Sequence, residues 1–134
     1  MLMAEINDDD WPIVIVTFDG GPPVQETEAF LSAFDEWLAR GEEFAVLLEK
    51  RSFGGRGAET KEATKRRDEW LAANREKIEQ HCRGIAVVTE SSRLYRLFKP
   101  VIKRLMAKKF GCPGVMYSSR TEAHQWLDER LVSS

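Results

Sequence analysis

Four short apolar runs, each followed by a segment of helical periodicity, constrain this chain more than any other feature of it. They are Ile13–Phe18 (IVIVTF), Phe44–Leu48 (FAVLL), Gly84–Val88 (GIAVV) and Gly114–Tyr117 (GVMY). Runs with so little polar alternation suit strands covered on both faces. Asp19-Gly20-Gly21-Pro22-Pro23 stops the first abruptly, and from Val24 the period changes: Phe30, Ala33, Phe34, Trp37 and Leu38 share one helical face, with Gly41 placed as a C′ residue. A second helix is predicted from a Thr60 N-cap to about Cys82, with Ala63, Arg67, Trp70, Leu71, Asn74 and Ile78 on one side. Its narrow apolar stripe predicts a helix with much of its girth in water.

The third helix is expected from about Arg93 to Phe110, after a Thr89-Glu90-Ser91-Ser92 turn and cap. Its face is the widest in the chain, Leu94, Leu97, Phe98, Val101, Ile102, Leu105 and Met106, and the spacing predicts that this face packs on the sheet. Pro100 removes one backbone donor, which predicts a kink or break near Phe98. Gly111-Cys112-Pro113 ends this helix, and Thr121 is the expected cap of a last one carrying Ala123, Trp126, Leu127 and Leu131.

The order βαβαβαβα predicts an α/β fold with a four-stranded, mainly parallel sheet, because parallel neighbours need a crossover and a helix supplies it. Met1–Ile6 (MLMAEI) is expected to add an antiparallel N-terminal edge strand. With 134 residues, 43% of them hydrophobic and 31% charged, residues 1–134 are expected to form a single domain with its own core. No apolar stretch approaches the length of a membrane span, and Met1–Asp10 lacks the basic and apolar regions of a signal peptide, so a cytoplasmic location is expected.

The net charge of −2 conceals a strong polarity along the chain. Residues 1–45 carry eleven carboxylates against Arg40 alone, whereas residues 46–134 carry nineteen basic and eleven acidic side chains. The basic excess peaks in the third helix, where Arg93, Arg96, Lys99, Lys103, Arg104, Lys108 and Lys109 occur without a carboxylate. A basic amphipathic helix can meet anionic lipid, a nucleic-acid backbone or an acidic partner. The plainer expectation is that its apolar residues pack on the sheet while the cations face water, opposite the acidic first helix.

In a parallel sheet, ligands gather where strand C-termini meet the following loops. Those loops hold Asp19, Arg51, Ser52, Arg56, Ser91, Ser92 and Arg120, a candidate set for a small anionic ligand. Gly54-Gly55-Arg56-Gly57 fits neither a Walker A nor a dinucleotide fingerprint, and no GxSxG or HExxH motif is present. Asp8-Asp9-Asp10 lacks the spacing and glycine turn of a Ca²⁺ loop, and His81 beside Cys82 cannot easily share one ion on a helix. No metal, no cofactor and no enzymatic activity are therefore expected. Cys82 and Cys112 are too few for a disulfide framework, but both fall at the N-terminal edge of the predicted sheet, where they could be neighbours and form a regulatory disulfide.

The succession FLSAFDEWLARG, FAVLLE, a polar helix, RGIAVV, a basic helix and GVMYSSRTEAHQWL resembles the SpoIIAA-like group of the STAS superfamily. Glu122, Ala123, Trp126 and Leu127, shortly after the last strand, carry most of the likeness. The resemblance implies a right-handed βα superhelix with helices mainly on one face. It also implies a non-enzymatic binding or regulatory module, of a kind discussed alongside lipid carriers of the CRAL-TRIO type. Members that antagonise anti-sigma factors carry a phosphorylated serine in an Asp-Ser-Ser-Gly motif. Lys50-Arg51-Ser52-Phe53-Gly54-Gly55 lacks the acid and the serine pair, so that role is not transferred to Ser52. The expected partner is a protein or a small amphipathic or anionic ligand, with a homodimer through an exposed sheet face as one form of it. Peripheral membrane contact through residues 93–110 is the alternative, and nucleic acid is not expected.

Overall fold

The β-branched runs pair side by side in chain order. The computed structural model describes residues 5–18, 23–50, 61–89 and 92–132. Its elements are β1 (Glu5–Asn7), β2 (Ile13–Phe18), α1 (Pro23–Ala39), β3 (Phe44–Lys50), α2 (Lys61–His81), β4 (Cys82–Thr89), α3 (Ser92–Lys109), β5 (Gly114–Tyr117) and α4 (Arg120–Val132). They build an α/β domain around one five-stranded sheet of order β1-β2-β3-β4-β5. The strands β2 to β5 are parallel, each joined to the next by a helix, and β1 pairs antiparallel with β2. The expected edge strand is thus present at Glu5–Asn7; residues 1–4 of the expected Met1–Ile6 segment lie outside the described residues.

Alternation along the strands divides the core in two. Val14, Val16, Phe44, Val46, Leu48, Ile85, Val87 and Met116 face α1, α2 and α3, together with Cys82 and Cys112. Ile13, Ala45, Leu47, Ala86 and Val88 face the other way, onto Ala123 and Leu127 of α4. Three helices therefore cover one face, and α4 alone lies on the second, over β3, β4 and β5. Crossovers of one hand that step steadily across a sheet leave their helices on one side, which is why α1, α2 and α3 share a layer.

Phe34 sits at the centre of that layer, with ring centroids 5.2 Å from Trp70, 5.5 Å from Phe30, 5.6 Å from Phe44 and 5.7 Å from Trp37. Such tilted and edge-on arrangements are favoured by the ring quadrupoles. Gly41 ends α1 at φ 69°, a left-handed backbone that glycine adopts without cost, and its N–H donates to the Leu38 carbonyl. At Gly114 a Cβ would fall on the Cβ and Cγ of Met106, so α3 approaches β5 more closely than a larger residue permits.

Several expectations change. Cys82 is the first residue of β4 rather than the last of α2, because it takes the ladder position opposite Phe44. Helix α3 runs unbroken through Pro100, which lies on its exposed side, where water can satisfy the Arg96 carbonyl that loses its partner. The cap of α4 is Ser119, not Thr121: the Ser119 hydroxyl accepts from the Glu122 N–H at 3.4 Å and its carbonyl from Ala123 N–H at 3.1 Å. Thr60, the expected cap of α2, lies outside the described residues.

Candidate functional site

Helix α3 packs on the sheet by a narrow strip. Ile102 and Met106 are buried, and Phe110 just beyond the helix joins them. The rest of its apolar arc is in water: Leu97 is 60% exposed, Phe98 38%, Val101 45% and Leu105 40%. This corrects the expectation that Phe98, Val101 and Leu105 pack on the sheet; the Leu94 side chain lies outside the described residues. The reason is geometric. At about 100° per residue, the arc from Leu97 to Met106 spans about 180° of the helix, whereas contact with a flat sheet uses nearer 100°. The surplus width is the sequence signal that part of this face stays outside the core.

The cations divide into two groups. Lys99 is held in place, its Nζ donating to the Met116 carbonyl at 3.1 Å and lying 4.9 Å from the Tyr95 ring and 5.2 Å from the Tyr117 ring. Lys109 reaches Asp68 of α2 at 3.4 Å. Arg93, Arg96, Lys103 and Arg104 are exposed, and no carboxylate pairs with them among the described residues. The acidic α1 does not neutralise them, because α2 stands between. It contacts α1 through Arg66 and Glu28 at 2.6 Å, and its Arg75 binds the Lys108 and Ala107 carbonyls at the end of α3. Those two carbonyls are among the four that a helix C-terminus leaves open.

Of the loop set, Ser92 and Arg120 are among the described residues. Asp19, Arg51, Ser52, Arg56 and Ser91 lie outside the described residues. Ser92 is exposed at the start of α3. Arg120, at the start of α4, pairs with Glu49 of β3 and borders a cleft of about 480 Å³ on the sheet face that α4 leaves bare beside β1. Asn7, Asp8, Ile15 and Thr17 also line that cleft, and sequence reasoning did not find them because the bare face follows from where α4 crosses. Asp8 is engaged by Arg40 at 3.0 Å, and the Asn7 side chain accepts from the Asp9 N–H at 2.9 Å, so its rim is a structured turn.

Two thiols do meet. Cys82 and Cys112 are buried, with their sulfurs 3.8 Å apart. The Cys112 thiol is pushed far above the usual cysteine range by its hydrogen bond to Cys82 and by burial. No group of three or more histidine, cysteine or carboxylate side chains converges in metal-binding geometry among the described residues. Nor is any helix among them long and apolar enough to cross a membrane. Comparison of the chain with protein-family models, with curated proteins and with solved structures returns no match. The functional reading therefore rests on the α3 surface itself.

Proposed function

We propose that the chain is a non-enzymatic binding module whose working surface is α3, and that this surface docks on an anionic lipid membrane. The observation that carries the proposal is the row Leu97, Phe98, Val101 and Leu105, exposed alongside Arg93, Arg96, Lys103 and Arg104. A phosphate backbone would use the cations but gain nothing from the apolar row, whereas the headgroup and acyl boundary of a bilayer rewards both. Each apolar side chain, already partly covered, stands to gain about 1 kcal/mol, and each cation about 1 kcal/mol at an anionic surface. The gross attraction is then about 8 kcal/mol before the cost of immobilisation, in the range of reversible, peripheral attachment.

The layout of the fold favours one orientation. Since the strands follow chain order, the acidic N-terminal segments lie toward the β1–β2 edge and α3 lies over β4 and β5. A molecule polarised in this way turns its basic side to a negative surface. The resemblance to the SpoIIAA-like group implies a binding module as well.

Co-sedimentation with vesicles of phosphatidylcholine alone or with 30% phosphatidylglycerol tests the proposal, the composition being of the order that gives a substantial surface potential. Binding to the anionic vesicles, weakened by salt and by Lys103→Glu with Arg104→Glu, is expected. No association at low salt, or a chain that dimerises through the apolar row and ignores vesicles, would overturn it.

A further inference from the structure

We propose that Cys82 and Cys112 form a thiol–disulfide exchange site for small disulfides that carry carboxylates, such as glutathione disulfide. The two sulfurs are in van der Waals contact at 3.8 Å, a separation that side-chain rotation and a small backbone shift can close to a bond. They line a cleft of about 240 Å³, so burial at 2% and 4% exposure leaves them at the floor of an opening.

The walls of that cleft indicate the charge of its ligand. Arg83 and Arg130 both border it. The Arg83 guanidinium binds Glu43 through Nη2, but its buried Nε has no hydrogen-bond partner among the described residues. An unsatisfied buried donor is uncommon, and this one belongs to a residue that borders the cleft beside the two thiols. Arg130 rests on the Trp126 ring, 5.5 Å from its centroid, with no carboxylate partner among the described residues. Glu79, the acid at the rim, lies 3.7 Å from Arg75, which offsets its charge.

Cys82 accepts the Cys112 thiol hydrogen at 3.8 Å while its own thiol donates to the Gly84 carbonyl at 3.6 Å, and the accepted bond is the one that a sulfur anion keeps as it attacks. Cys82 is therefore the attacking thiol. Its thiolate attacks one sulfur of the small disulfide, a mixed disulfide forms, and the released thiolate takes up a proton. Cys112 then loses its proton to solvent and attacks the Cys82 sulfur, expelling the second small thiol. In total two protein thiols are oxidised to one disulfide while one small disulfide is reduced to two thiols. The new bond joins the start of β4 to the loop after α3 and closes a loop of roughly 30 residues, which predicts a melting temperature higher by about 10 °C.

The test incubates the reduced chain with glutathione disulfide or with cationic cystamine, followed by alkylation and mass spectrometry. A Cys82–Cys112 bond is expected, formed about tenfold faster with the anionic reagent. Cys112→Ser should stop at a stable glutathione adduct on Cys82, and Arg83→Gln with Arg130→Gln should remove the preference for negative charge. Thiols that react only after unfolding, equal rates with the two reagents, or an adduct on Cys112 of the intact pair would each overturn the proposal. The rate comparison on the unaltered chain decides the charge question even if the arginine variant does not fold.

Discussion

Phe34 is fully buried and lies against five other rings, those of Phe30, Trp37, Phe44, Trp70 and Phe110, so truncating it removes contacts that no neighbour can replace. Phe34→Ala is expected to cost about 3–5 kcal/mol in a urea melt, a large share of the 5–15 kcal/mol typical of a domain. Trp70 lies against it and donates from Nε1 to Asp35 Oδ1 at 2.9 Å, tying α2 to α1. Trp70→Phe keeps most of the ring but loses that bond, for an expected loss of about 1–2 kcal/mol in the same assay. Gly84 tests a different kind of contact, since a Cβ there would stand 2.7 Å from the Trp126 ring. Gly84→Ala should lower the melting temperature, and a second change, Trp126→Leu, should recover part of the loss. The pairing of Gly84 with Trp126 was not legible in the sequence, because it depends on α4 reaching the face of the sheet opposite the other helices.

Helix α3 separates two effects that usually move together. Leu97→Ser and Leu105→Ser change residues that the fold covers only in part, so stability should fall by no more than about 1–2 kcal/mol, while vesicle binding should fall about tenfold. A stability loss of several kcal/mol in the double variant would place the row in the core and contradict the docking surface. The helix itself was legible: its boundaries, its period and its cations are all readable between Ser92 and Lys109. Its orientation was not, since periodicity shows which residues share a face and not how much of that face a flat sheet can cover. Ser119 was overlooked although Ser119-Arg120-Thr121-Glu122 has the spacing of a capping box, with Thr121 sitting inside the first turn instead.

The parallel direction of the strands and their cover on both faces followed from the sequence because hydrophobic runs and helical periods are local signals that reinforce one another, whereas the order of the strands in the sheet is not a local property and those runs do not contain it. The shared sheet edge of Cys82 and Cys112 was legible, since parallel strands begin at one edge, but their contact depends on the pairing of β4 with β5. The bare face bordered by Arg120 and the partners of Lys99 were not legible, as both arise from elements distant in sequence that meet only in the folded chain. Charge follows the same geometry, for a chain acidic at its beginning and basic later becomes a polarised body when its strands lie in order. Its vesicle affinity should therefore drop steeply between low and physiological salt and then level off, as the screened charges leave the apolar row still engaged. A tryptophan placed at Val101, read by quenching from brominated lipid in anionic vesicles, reports directly on whether α3 enters the bilayer. Strong quenching of the Val101→Trp variant beyond that of the unaltered chain is the expected result, and a vesicle-bound protein whose new tryptophan stays unquenched would contradict it.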